Sequence, residues 1–251
     1  MSNDDDIEEM KIERPKKCKK SKKVTAVLED EIIEEMKLLS VNPIDETILN
    51  VYEKINKNKD KRIILLRDVE VVKWIFNDIS FLKGKNQNEL KILEDEWGLS
   101  KLKKKRPDLN SKHHWTTKFG ECIAEELCIL QNKTYKCQKK NTTSSCEVRL
   151  DIETEDSIIE VKTGTRYTEG TAHNKISDVP HAYADIPIIC GKPLKILCIG
   201  KAEEFVMERG YIQSKNTVRT KINSLTLECL EIYKKYNITF ISIREELLNL
   251  N

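Results

Sequence analysis

The chain has 251 residues, 34% of them charged, yet its formal net charge is only +2. That length suits one large domain, or a core of ordinary size with a smaller accessory region, and the near balance of charge leaves the question of a polyanionic partner to local patches. No apolar run reaches the ~18 residues of a membrane span, and no apolar N-terminal segment leads to a small-residue cleavage site, so the expectation is an intracellular protein with no membrane partner. The eight cysteines are scattered, and no two have the spacing of a zinc knuckle or a redox pair; they read as reduced, semi-buried apolar residues. With 8 glycines and 6 prolines, the composition points to a helix-rich folded chain with few long loops.

Residues 1–23 read as a disordered charged tail. An acidic block (Asp4, Asp5, Asp6, Glu8, Glu9) runs into the basic block from Arg14 to Lys23, and such runs repel and bring no apolar surface to bury. The basic block, 14–23, reads as a solvated tail, a nuclear import signal or a phosphate-binding arm. From about Val24 to Trp97, within an expected domain over 24–110 that includes a basic linker, the apolar spacing is helical. One stripe is Val27, Ile32, Ile33, Met36 and Leu39, a second Ile44, Ile48, Val51, Tyr52 and Ile55, and a third runs from Ile63 through Leu82. Asn42-Pro43 and Lys83-Gly84-Lys85 supply the breaks. This region reads as a helical accessory or DNA-contacting domain, or as a cap that only packs on the core.

The segment 98–114 reads as a basic linker, with Lys101, Lys103, Lys104, Lys105 and Arg106, then Pro107, Asp108, Lys112, His113 and His114. Clustered Lys and Arg gain from counterion release on nucleic acid, which makes Lys103, Lys104, Lys105 and Arg106 candidate phosphate contacts; a solvated hinge is the plainer reading. The adjacent histidines suit a polar surface. The core is expected over 111–251. It begins with a helix from Thr116 or Thr117 to about Gln131, capped by Thr117, with Phe119, Cys122, Ile123, Leu127 and Leu130 on one face and Glu121 and Glu125 on another. Strands follow at 134–138, in the hairpin 147–162, at 193–200 and at 238–243. Helices are expected at 202–209, 217–236 and 245–250. The order predicts an α/β core with a mixed central sheet flanked by helices.

The hairpin carries the chemistry. In its first strand Val148, Leu150 and Ile152 alternate with Arg149, Asp151 and Glu153; in its second, Ile158, Glu160 and Lys162 share the face opposite Ile159 and Val161. The polar turn Thr154-Glu155-Asp156-Ser157 is short enough to bring Asp151 beside Glu160 and Lys162. Phosphodiester hydrolysis needs a divalent cation to polarise the phosphate and acidify a water, together with a fixed positive charge. Asp151 and Glu160 are hard oxygen donors suited to Mg²⁺, with Mn²⁺ as an acceptable substitute, and the Val161 carbonyl is the expected third donor. Lys162 would orient the water or stabilise charge at phosphorus. Glu121 would serve as an outer ligand or hold a second metal. An exposed hairpin with solvated ion pairs is the bland alternative.

The segments His114–Glu121, Leu150–Asp156, Ile159–Thr165, Gly170–Ala172, Tyr183–Pro187 and Gly191–Leu194 resemble the PD-(D/E)XK nuclease superfamily, and more narrowly the type II restriction endonuclease-like proteins of large DNA viruses and bacteria. The resemblance covers roughly a third of the chain. It implies a restriction-endonuclease-like core and a Mg²⁺-dependent DNA endonuclease, in which Asp151, Glu160 and Lys162 match the motif and Glu121 matches the helix glutamate. Leu150 stands where the motif has proline, and His173 and Asn174 where related proteins have a glycine and an acidic residue.

The polar loop expected from Thr163 to Pro187 offers Arg166, Tyr167, Thr168, His173, Asn174 and Lys175 as groups that read base edges or grip phosphates, while Tyr183 and Asp185 read as braces for it. The leading expectation is a sequence-specific endonuclease on double-stranded DNA, acting as a homodimer because two cuts on antiparallel strands suit twofold symmetry. Two rivals remain: a nuclease specific for branched, mismatched or damaged DNA, and a catalytically inactive DNA-binding protein.

Overall fold

The computed structural model describes residues 43–109, 115–142, 147–167, 172–212 and 223–250. The chain divides into two compact units, 1–49 and 50–251. The tail at 1–23, its basic block and the stripe from Val27 to Leu39 lie outside the described residues, as do His113, His114 and Thr168. The fold is α/β, a five-stranded mixed sheet flanked by helices with a helical N-terminal part.

Helix α1, Pro43–Lys57, opens the described chain with proline at its first position, where the missing N–H costs nothing. The first seven of its residues belong to the first unit and the rest to the second. Two helices follow, α2 at Val69–Ile75 and α3 at Gln87–Lys105, capped by the side chains of Asp68 and Asn86. The expected third stripe is helical only over α2. The preceding residues Ile63, Leu65 and Leu66 are buried in a non-helical segment because the Glu126 carboxylate accepts the N–H groups of Ile64, Leu65 and Leu66 at 2.8–3.0 Å. A side chain distant in sequence satisfies those amides, which helical periodicity cannot anticipate.

Helix α4, Trp115–Leu130, starts two residues before the expected cap at Thr117. It packs across the sheet strands β1 (Tyr135–Thr142), β2 (Glu147–Thr154) and β3 (Ile158–Gly164). Its approach to β3 is close. A Cβ on Gly120 would stand 1.8 Å from Thr163 Oγ1, so only glycine fits. On its other side α4 meets the helical region through rings: Phe119 lies 5.8 Å from Trp74 and 5.9 Å from Trp97, and within α4 it lies 5.5 Å from Trp115. Each indole N–H has an acid acceptor, Glu94 for Trp74, Glu70 for Trp97 and Asp95 for Trp115, so burial of the rings leaves no donor unpaired. Residues 50–109 and the sheet fall in the same compact unit, 50–251, where aromatic surface and buried acids join them.

The sheet runs β1-β2-β3-β4-β5, antiparallel between the first three strands and parallel from β3 onward. Strand β4 is Leu194–Gly200 and β5 is Ile238–Ser242. The β3–β4 crossover carries α5, Ala172–Ala182, and α6, Ile186–Cys190. The β4–β5 connection carries α7, Lys201–Glu208, and α8, Ser224–Lys235; α9, Ile243–Leu248, follows β5. Ile158, Leu194, Ile196, Cys198, Ile176, Val206 and Tyr233 meet in one core cluster, which puts α5, α7 and α8 on the sheet face opposite α4. The stretch 163–187, expected as a loop, is thus largely helical despite Pro180, with Ile176, Val179 and Ile186 supplying the buried face.

Candidate functional site

The β2–β3 hairpin forms with the expected turn, and its register pairs Glu153 with Ile158 and Ile152 with Ile159. Beyond that pair a side chain takes over from the ladder: Asp151 Oδ2 accepts the Val161 N–H at 2.8 Å. A strand residue points its N–H and C=O to the same side, so the Val161 carbonyl also faces the Asp151 side. On the α5/α7 face of β3, Glu160 lies beside Ile196 and Lys162 beside Cys198. Those apolar neighbours explain why Glu160 is only 3% exposed.

Lys162 Nζ donates to Glu160 Oε1 at 2.7 Å. Oε2 of the same carboxylate is buried and accepts no hydrogen bond of ordinary geometry; the Tyr183 hydroxyl is the donor turned towards this carboxylate. Asp151 is pushed up to about 7, first by burial, then by the Glu160 charge and further by Glu121, against the Val161 N–H and Lys162. Glu121 sits on α4 one residue after the glycine that lets the helix touch β3, is 8% exposed, and pairs with Lys118 at 2.6 Å. The hairpin therefore brings Asp151, Glu160 and Lys162 together, the Glu121 charge on α4 acts on Asp151 as a lesser influence, and carboxylate charge outweighs its compensation around Asp151.

That donor set fits a hard divalent cation. The buried Glu160 carboxylate, the elevated Asp151 and the Val161 carbonyl are oxygen donors in want of positive charge. Among the described residues no group of three or more His, Cys, Asp or Glu is gathered that could hold a metal ion; a pair of carboxylates with a carbonyl would leave Mg²⁺ several waters. A bound cation would polarise a phosphate and acidify a water.

The expected DNA contacts divide. Residues Lys103 and Lys104 are exposed in the last turn of α3, so the expected basic linker is a helix end as far as Lys105. Lys101 is buried against Asp68 and Glu70. Lys105 is turned inward, 3.0 Å from the buried Glu126 carboxylate, and Arg106 is held bidentately by Asp108. Arg166 is likewise corrected from a groove contact to an internal one. Its side chain is 3% exposed, pairs with Glu204, donates to the Trp74 carbonyl at 2.7 Å and lies 5.6 Å from the Trp74 ring. The backbone N–H groups of Arg166 and Tyr167 are taken by Glu94. His173, Asn174 and Lys175 lie in the first turn of α5; their side chains lie outside the described residues.

Compared with known proteins, the chain matches no protein-family model, no curated protein and no solved structure.

Sequence reasoning undervalued two residues. Glu94 is fully buried, and burial raises its pKa despite three N–H donors; a lone glutamate on an amphipathic helix gives no hint of this. Tyr183, expected to be a brace, faces the centre itself: its ring centroid is 6.0 Å from Lys162 Nζ, and burial and the Glu160 charge raise the pKa of its hydroxyl.

Proposed function

We propose that this protein is a Mg²⁺-dependent endonuclease that hydrolyses phosphodiester bonds of double-stranded DNA, with a restriction-type, sequence-specific mode of action. The observation that carries the reading is the convergence of Asp151, Glu160 and Lys162, with the Glu160 carboxylate buried and Asp151 pushed up to about 7 by burial first and then by its carboxylate neighbours. The motif the hairpin resembles demands that grouping. In this reading Asp151, Glu160 and the Val161 carbonyl hold the cation, and Glu121 supports it from α4 as an outer or second-metal ligand. The cation supplies Lewis acidity to the scissile phosphate. Lys162 leaves Glu160 to present its ammonium to the attacking water and the charge at phosphorus. Lys103 and Lys104 contact the DNA backbone from the end of α3, where exposed ammonium groups displace counterions.

The partner protein in this reading is a second copy of the chain. Of nine large apolar side chains exposed among the described residues, six (Ile188, Ile189, Leu225, Leu227, Ile232 and Tyr236) lie on α6, on α8 or at its cap. Leu225, Ile232 and Tyr236 recur at i, i+7 and i+11, one flank of α8, with Glu228 and Lys235 beside them. Two such helices laid antiparallel across a twofold axis bring Leu225 against Tyr236 and Glu228 against Lys235, a self-complementary arrangement.

Incubating the protein with plasmid and with branched DNA, in Mg²⁺ or in EDTA, tests the function. Discrete plasmid fragments that need Mg²⁺ and vanish in Asp151→Ala and Lys162→Ala, with DNA binding retained, are the expected result. Near wild-type cutting by either variant would remove the site assignment, and cleavage of branched substrate alone would move the reading to a structure-specific nuclease.

A further inference from the structure

Glu160 has two claims on it. It accepts the Lys162 ammonium at 2.7 Å, yet it is also a carboxylate that a cation would draw on. Both cannot be met in full by one buried group, since its second oxygen is the only one left and a hard cation weakens the hold of the first on a neighbouring ammonium. Something else has to keep Lys162 in place when Glu160 turns to the cation.

We infer that Tyr183 is a positioning residue for Lys162: its ring face holds the ammonium when the Glu160 carboxylate is engaged elsewhere. The inference rests on the nuclease reading for its purpose, but on geometry for its substance. Tyr183 follows α5 and is anchored at both ends of its own backbone, its N–H donating to the Val179 carbonyl at 3.0 Å and its carbonyl accepting from Ile186 N at 3.0 Å. Its body packs on the core cluster, so the ring is not free to swing. From that fixed position the centroid is 6.0 Å from Lys162 Nζ, inside the range where a ring quadrupole attracts an ammonium. Lys162 is 27% exposed, and the Glu160 carboxylate and the Tyr183 ring both stand beside its ammonium. The hydroxyl lies towards Glu160, so one residue borders both partners of the pair. Ring and hydroxyl are separable by substitution: phenylalanine keeps the ring, leucine keeps bulk and loses the quadrupole.

The test reads Lys162 directly and does not depend on cleavage. Full-length protein is labelled briefly with an amine-reactive acylating reagent in EDTA, and modification of Lys162 is quantified by peptide mass spectrometry. Glu160→Gln removes the competing charge and makes the lysine rely on the ring. Labelling is expected about 3- to 10-fold faster in E160Q/Y183L than in E160Q, the range a cation–π contact supports, while E160Q/Y183F stays at the E160Q rate. Equal rates in E160Q and E160Q/Y183L would overturn the inference, and so would a Y183F variant as fast as Y183L. Circular dichroism and the melting temperature of each variant separate loss of the contact from loss of fold, and lysines distant from the site serve as internal rates that a global opening would raise together. Calorimetric titration of the wild-type protein with Mg²⁺ tests the nuclease reading separately: absence of binding sinks that reading and leaves the labelling result standing on its own.

Discussion

At the scale of single residues, the centre is defined by charge that the protein itself does not neutralise. Asp151 is brought to about 7 by burial and by the carboxylates of Glu160 and Glu121. A carboxyl whose folded value lies above its ordinary 3.8 stabilises the fold fully below that ordinary value and loses the contribution as pH rises through about 7. Metal-free protein should therefore weaken between roughly pH 4 and pH 7 for this reason, by at most about 4 kcal/mol at ~1.4 kcal/mol per tenfold. Asp151→Asn keeps an oxygen for the Val161 N–H and removes the charge. In EDTA the variant should melt above the wild type at pH 8 and level with it near pH 4. Adding Mg²⁺ should raise the wild-type melting temperature and leave the variant's unchanged, because a ligand stabilises only the state that binds it. Coincident melting curves of the two proteins across that pH range would show that Asp151 bears no uncompensated charge.

At the scale of elements, what decides the site is how closely α4 lies on β3. Thr163 Oγ1 is buried without a partner, and it sits where a Gly120 side chain would be. Gly120→Ala gains helix propensity of up to ~1 kcal/mol, but it must move helix or strand by more than the contact can yield. The net expectation is a loss of about 1–3 kcal/mol in chemical unfolding, with Glu121 carried away from Asp151 and cleavage reduced more than binding. Unchanged stability would mean that helix and strand are not in contact there. This contact also marks what the sequence makes legible. Alternation in 147–162 and the polar turn reveal the hairpin and the grouping of Asp151, Glu160 and Lys162, because local periodicity governs both. Tertiary acceptors leave no such trace: Glu126 taking three amides around Leu65, Glu94 taking those of Arg166 and Tyr167, and Glu204 drawing Arg166 inside all oppose the surface expectation for charged residues. The helix at 172–182 was hidden in a polar stretch because its buried face is only a few residues wide.

At the scale of the whole molecule, the proposed nuclease would need two centres to sever both strands, and the apolar flank of α8 is the proposed means of pairing them. One helix face is small against the ~800 Å² per partner of a standard interface, so the dimer should dissociate in the micromolar range rather than persist at any dilution. Ile232→Glu, at a side chain already 54% exposed, should leave the fold intact and shift sedimentation to the monomer. The charge pair gives a sharper criterion. Glu228→Lys and Lys235→Glu each set like charges across the twofold axis and should weaken association several-fold, whereas the double swap restores opposite charges and should recover it. Recovery is the discriminating outcome, since two substitutions that merely damaged the helix would add. If the single variants and the double swap all sediment as the wild type does, α8 is not the contact. If the monomeric Ile232→Glu variant nicks plasmid where the wild type linearises it, the pairing and the chemistry are linked: each copy cuts one strand, and the second cut depends on the partner that α8 recruits.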